Sequence, residues 1–299
     1  MSYLRRDCRP DRGLMMQLVL FVLLVLIAFA ANSVLGRMAI SWGYMDALGF
    51  GLLRLASGAA MLGVLCVLRR RSLRQPLVPS LKGGAALTLY MIGFCLAYQG
   101  LDAGLGALIL FGVVQIAMFG WGAVRGSNPS VGQMIGAGVA FAGLAYVVWP
   151  DQSLQVSLWD AVLMGLSGLG WAAYSLIGRG VRDPLASSAV NFLWATAMIL
   201  PFVWAAWGSG LITGLITGPG IVLAAISGAV TSGLGYALWY RVLPQLQPAV
   251  AATIQLSVPV LAILGGIIFL AEPVGARLIL GTLVVLAGIA LVIWTPRRL

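Results

Sequence analysis

Arg54 sits inside a long apolar run, Gly51-Leu52-Leu53-Arg54-Leu55-Ala56, and no acidic residue lies at comparable depth in any other such run. An unpaired cation there has two readings. It attracts a substrate carboxylate or gates the outer mouth of a pathway; or, lying only eight residues past Asp46, it snorkels toward the interface and bonds helix-end carbonyls. Other polar and aromatic groups fall in the same kind of run. Asn32 follows Phe29, and Tyr174 follows Trp171, each pair at a spacing that shares one helix face. Such pairs line a cavity or pack helices together. Tyr90 and Trp239 lie deep in their runs and carry flat rings with a polar edge, whereas Tyr98, Gln99 and Tyr240 lie near run ends, where interfacial aromatics are expected. Gln115 and Gln255 are uncharged amides, the latter close to Ser257 and Pro259. Proline removes a backbone hydrogen bond, so a kinked, polar segment facing a cavity is the expectation there, with interhelical hydrogen bonding as the rival. Glu272 ends its run and can serve as a gate carboxylate.

The chemistry these groups leave out is as informative. The chain has no histidine, so histidine ligands, general bases and proton relays are excluded. Cys8, Cys66 and Cys95 form no CxxC pair; neither a zinc site nor a disulfide framework is implied. No nucleophile stands with a base, and no acids pair within a run, so an intramembrane enzyme finds no catalytic machinery. No cofactor and no metal are expected.

The elements that must position these side chains follow from composition. Of 299 residues, 61% are hydrophobic and 9% charged, against roughly 25% charged in ordinary soluble domains. Glycine numbers 39, in keeping with close packing of membrane helices. The chain reads as an all-α integral membrane protein. A crossing helix needs about 20 mostly apolar residues, and ten runs qualify: 14–35, 46–68, 83–101, 104–124, 131–149, 158–179, 186–208, 219–241, 248–270 and 274–294. The first run, preceded by Arg5, Arg6, Arg9 and Arg12 and passing through Ala28-Phe29-Ala30, has the look of a signal peptide, but its length and its place in a repeat make it a retained first helix.

With the N-terminus inside and ten alternating spans, fifteen of the 18 cations fall inside and two, Arg37 and Arg277, outside, leaving Arg54 in its span. The positive-inside rule therefore puts both termini in the cytoplasm. The basic balance is a topology signal, and no nucleic-acid partner is implied.

The chain also repeats. Gly136-Ala137-Gly138 through Trp149 matches Gly281-Thr282-Leu283 through Trp294 at an offset of 145 residues, and Asn32-Ser33-Val34-Leu35-Gly36-Arg37 overlies Tyr174-Ser175-Leu176-Ile177-Gly178-Arg179 at 142. Two units, residues 1–150 and 151–299, thus hold five spans each. Five is odd, so the second unit threads the membrane in the opposite sense, as in transporters that hold substrate near the midplane between inverted repeats. Gly132 and Gly136 form a GxxxG pair read as packing between the halves.

These features resemble the drug/metabolite transporter superfamily, and within it the EamA-type ten-helix transporters: two five-helix halves with glycine-rich closing spans, Pro259 in the ninth, then Phe269-Leu270-Ala271-Glu272. Trp171-Ala172-Ala173-Tyr174 and the aromatic eighth span are similar to the YddG-type exporters of aromatic amino acids in bacterial inner membranes. The first half departs from the pattern, with Val114 where Pro259 projects back and Ser127 under Glu272. The resemblance implies alternating-access export of small metabolites, aromatic amino acids foremost, by a single chain acting as a monomer in the bilayer. The site expected to bind substrate comprises Asn32, Tyr90, Gln115, Trp171, Tyr174, Trp239, Gln255 and Ser257, with Arg54 and Glu272 as charge and gate. The absence of a mid-span carboxylate favours neutral or zwitterionic cargo and facilitated diffusion. The alternatives are a multidrug or lipophilic-cation exporter of the same superfamily, and a membrane scaffold or receptor.

Overall fold

In lipid, a backbone must satisfy its own polar groups, which leaves helices for a chain of this composition. In a computed structural model the described residues are 12–124, 130–149, 157–210, 214–246, 254–255 and 257–295. Among them the chain forms α1 (Arg12–Ser41), α2 (Ala47–Leu68), α3 (Leu77–Ala97), α4 (Ala103–Val124), α5 (Val131–Val148), α6 (Leu158–Gly178) and α7 (Pro184–Gly208). Then come α8 (Gly218–Gln245), α9 (Ser257–Leu270) and α10 (Ala276–Trp294). All but α5, α9 and α10 are long and apolar enough to cross a membrane, and those three are shorter apolar helices. The outward faces carry large apolar side chains such as Val67, Phe202, Trp204 and Trp294, as a lipid-facing surface requires. The chain is a multi-pass helical membrane protein. Arg5, Arg6, Arg9, Arg125, Ser127, Asp151, Arg297, Arg298 and the junction at 150–151 lie outside the described residues.

The polar gaps that divide the runs become caps. Ser130 accepts from the Gln133 N–H in a reciprocal capping box, Asp183 accepts from Ala186 N–H ahead of Pro184, and Thr217 accepts from Gly220 N–H. Two boundaries differ from expectation. Helix α3 begins at Leu77 because Pro76 caps it and Pro79 lies in the first turn, where proline removes no intrahelical bond. Helix α1 continues to Ser41, carrying Arg37 one turn beyond the apolar run. Pro259 is buried in α9, and residues 254–255 ahead of that helix are helical as well.

The helix contacts fall into matching sets. Helix α3 packs on α6 and α7, while α8 packs on α1 and α2; α2 meets α7, α4 meets α9, and α5 meets α10. At that last contact a Cβ on Gly136 would stand 2.6 Å from the Gly288 carbonyl, and one on Gly281 would stand 3.5 Å from that of Gly143. The 145-residue offset converts one contact into the other. The glycine pair is therefore packing, as expected, and glycine is needed because the neighbour is backbone that cannot turn aside.

Contacts also tie helix ends to one another. Arg37 reaches the α3–α4 and α9–α10 connections. Arg71 lies 3.7 Å from Asp183, Arg277 donates to the Tyr146 and Trp149 carbonyls, and Asp46 N–H bonds the Leu215 carbonyl at 3.2 Å.

Candidate functional site

Near the middle of the bundle, rings from both halves converge. Phe29 of α1 meets Trp171 of α6 edge-on at 5.1 Å; the two stand 142 residues apart, the offset noted in the sequence. Tyr90 of α3 and Tyr236 of α8, helices third in their respective halves, join hydroxyl to hydroxyl at 2.9 Å. Trp171 lies 4.6 Å from Tyr236 and 5.4 Å from Tyr90 between ring centres. Between them is a narrow cavity of about 10 Å³, lined by Phe29, Asn32, Ser33, Tyr90, Phe94, Leu110, Phe111, Trp171 and Tyr236. Three of these come from α1, the rest from α3, α4, α6 and α8.

Arg54 stands behind that wall and is 0% exposed. Its Nε donates to Ser232 Oγ at 2.8 Å, and its Nη2 donates to the hydroxyls of Tyr90 and Tyr236, each at 2.9 Å. The guanidinium also lies over the Phe94 ring, 4.6 Å from its centre, where the ring's negative face favours a cation. Snorkelling is overturned: acceptors lie inward, and the side chain turns to them. Every one of those partners is neutral, and Nη1 has no hydrogen-bond partner.

Asn32 is the other polar centre, 1% exposed. Its Oδ1 accepts from Ser227, Thr231 and Ser232 at 2.8, 2.6 and 3.1 Å. These three hydroxyls sit at positions i, i+4 and i+5 of α8. In an α-helix, at roughly 100° per residue, positions five apart diverge by about 140°. Residues Ser227–Leu234 instead form a π-helix, whose wider turn brings i and i+5 onto one face; such turns are frequent at functional sites. The close approach that allows this is at Gly228, where any Cβ would run into Ser57 Oγ and the Arg54 carbonyl.

Other expected residues take supporting places. Gln255 is fully buried and accepts from Trp171 Nε1 at 3.2 Å, fixing the indole. Tyr174 stacks on Trp171 at 5.6 Å, and Trp239 meets Phe29 at 5.7 Å, both just outside the lining. Gln115 is buried in α4 away from the lining. Ser257 is exposed and donates to the Ile254 carbonyl, so it does not join the cavity. Tyr98 and Tyr240 are fully buried, contrary to an interfacial place; their hydroxyls donate to the Ala103 and Tyr174 carbonyls at 3.3 and 2.9 Å. Phe94, Phe111, Ser33 and the α8 hydroxyls belong to the site without having been singled out in the sequence.

Glu272 closes one end of the bundle. Both its carboxylate oxygens accept from Ala103 N–H at 3.0 Å, at the start of α4, where the helix dipole favours an anion. Arg37 lies 3.5 Å from it and 3.3 Å from Asp102, and donates to the Tyr98 and Gln99 carbonyls. This clasp ties α1 to the α3–α4 and α9–α10 connections. Burial, reinforced by Asp102, holds the Glu272 carboxyl above the usual carboxylate range despite the Ala103 N–H and Arg37. Among the described residues no cluster of histidine, cysteine or acidic side chains is arranged to hold a metal ion.

Residues 158–294 match the EamA-like transporter family. Over 288 residues, 96% of each chain, the protein is 45% identical to the uncharacterized protein PA1977 of Pseudomonas aeruginosa. It is 25% identical over 261 residues to the uncharacterized transporter YwfM of Bacillus subtilis, covering 84% of this chain and 86% of that one. A solved structure, described simply as the crystal structure of a protein, shares the fold with a TM-score of 0.67 at 15% identity, covering 95% of this chain and 99% of its own.

Proposed function

Because the chain belongs to the EamA-like transporter family, we propose that it moves aromatic amino acids across the bacterial inner membrane by alternating access. The observation that carries this reading is the ring-lined cavity between the halves, where Phe29 meets Trp171 and Tyr90 meets Tyr236. Flat rings held edge-on to one another offer stacking surfaces to a flat side chain. Residues 1–150 and 151–299 act as two inverted repeats that rock about this cavity, supported by the matching sets of helix contacts. Both termini face the cytoplasm, supported by the distribution of Lys and Arg, and one chain is the working unit.

Carboxylates among the described residues, Asp46, Asp102, Asp160, Asp183 and Glu272, all stand at helix ends. Transport driven by a mid-membrane acid that charges and discharges finds no such group in the cavity wall, which supports facilitated movement down a gradient. A buried Arg54 beside the cavity argues against lipophilic cations as cargo.

Uptake of labelled tryptophan, phenylalanine and threonine into liposomes carrying the purified protein tests this, first without an ion gradient and then with a pH step. Saturable uptake of the two aromatic amino acids without a gradient is expected. Flux strictly dependent on the pH step would overturn the facilitative mode, and absence of amino acid flux would overturn the cargo.

A further inference from the structure

We propose that the cavity is a carboxylate site, in which the substrate's carboxylate is taken between Nη1 of Arg54 and Nδ2 of Asn32. This names the recognised group within the transport reading above and rests on that reading only in treating the ligand as cargo.

Three observations converge on it. First, Arg54 is fully buried, all its hydrogen-bond partners are neutral hydroxyls, and Nη1 has none. A guanidinium stays charged in a protein, and a buried charge calls for a countercharge. Among the described residues the acidic side chains stand only at helix ends, so none of them supplies that countercharge, and we assign it to the ligand. Second, Asn32 is held in one orientation. Three hydroxyls donate to its Oδ1, which directs the amide's donor end away from them, and Nδ2 has no partner. Asn32 lines the cavity. Third, the two donors are coupled through Ser232, whose hydroxyl accepts from Arg54 Nε and donates to Asn32 Oδ1.

The balance of donors and acceptors is one-sided. The acceptor capacity of Ser232, Tyr90 and Tyr236 is turned toward Arg54, and the Oδ1 of Asn32 is taken by hydroxyls. What remains unpaired is N–H: Nδ2 of Asn32 in the cavity wall and Nη1 of Arg54 behind it. A carboxylate, with two acceptor oxygens and a negative charge, satisfies both donors and neutralises Arg54 together. The neighbouring rings of Phe29, Trp171 and Tyr236 then receive the apolar remainder of the molecule.

The site predicts selection by acid group before ring. The test is thermal unfolding of the purified full-length protein in detergent, at fixed pH and ionic strength, titrated with 3-phenylpropionate, with 3-phenylpropionamide, with phenethylammonium and with chloride. Saturable stabilisation by 3-phenylpropionate alone is expected, since a ligand bound only to the folded state raises its stability. Asn32→Ala removes one donor and leaves Arg54 in place; it should weaken 3-phenylpropionate about ten- to hundredfold. Arg54→Gln should abolish the response, and should it fail to fold, Asn32→Ala and Arg54→Lys, which keeps the charge but loses the fork, carry the test. Equal stabilisation by the amide, by the ammonium compound or by chloride would overturn the proposal, as would an unchanged Asn32→Ala titration. Because this measures binding without flux, 3-phenylpropionate binding with no phenylalanine uptake would leave the site standing and sink the cargo assignment.

Discussion

Asn32→Asp changes one atom of the site and separates its structural from its recognition role. The new carboxylate keeps an acceptor for Ser227, Thr231 and Ser232, whose bonds to Oδ1 span 2.6–3.1 Å. Each becomes charge-assisted; bonds of that kind contribute about 1.5–3 kcal/mol, against about 0.5–1.5 for neutral ones. Three such gains, plus attraction to Arg54 across the Ser232 hydroxyl, offset the several kcal/mol that burying a carboxylate costs. The fold should therefore survive with an undiminished melting temperature. Recognition should not. A substrate carboxylate held where Nδ2 had been would face a like charge at about 4 Å, worth about 4 kcal/mol at an effective dielectric constant of 20, close to a thousandfold in affinity. The assay is competition by unlabelled phenylalanine against counterflow of the labelled amino acid in liposomes, beside a melting curve of the same preparation. A stable Asn32→Asp protein with unchanged affinity would refute the reasoning.

Glycine contacts give a graded test of packing. A Cβ on Gly170 would stand 2.6 Å from Tyr90 N, whereas Gly63 has nothing within 4 Å. Gly170→Ala should cost about 1–3 kcal/mol and lower the melting temperature, and Gly63→Ala should be neutral or stabilising by about 0.5–1 kcal/mol; equal effects would contradict the helix contacts described. Trp171→Phe keeps a ring but removes the indole N–H that Gln255 Oε1 accepts, so a loss of about 0.5–1.5 kcal/mol in stability is expected from the missing hydrogen bond, read as a lower melting temperature. Glu272 gives a pH signature. Its carboxyl pKa is raised in the folded protein, so the native state binds the proton more readily than the unfolded chain. The stability from this group is then present below the ordinary carboxylate range and is lost as pH rises through the folded value. Melting temperatures of the wild type should fall relative to Glu272→Gln across that window, and parallel curves would contradict the burial of Glu272.

The apolar helices were legible because they depend on local apolarity, which the chain writes linearly. The pairing of Phe29 with Trp171 could be read from the 142-residue offset. What escaped depends on partners distant in sequence. The burial of Arg54 follows from Tyr90 and Tyr236, 36 and 182 residues away, and no window of sequence joins them. The hydroxyls of α8 went unread for a different reason. Ser227, Thr231 and Ser232 do not share an α-helical face, and only the π turn gathers them; the run of small residues Ser227-Gly228-Ala229-Val230-Thr231-Ser232-Gly233 was the available signal. Tyr98 and Tyr240 looked interfacial because they end their runs, yet neighbouring helix ends cover them. Ser257 sits one face away from the core that Val258 and Pro259 enter, a rotation that its neighbours' polarity did not reveal.

Where an aromatic amino acid rests in the protein can be seen directly. Crystals or frozen particles of the full chain with 4-iodo-L-phenylalanine should show the iodine among Phe29, Trp171 and Tyr236, with the carboxylate against Arg54 and Asn32. Iodine found only on the lipid-facing surface, or a carboxylate turned away from Arg54 toward the clasp at Arg37, would contradict the central claim.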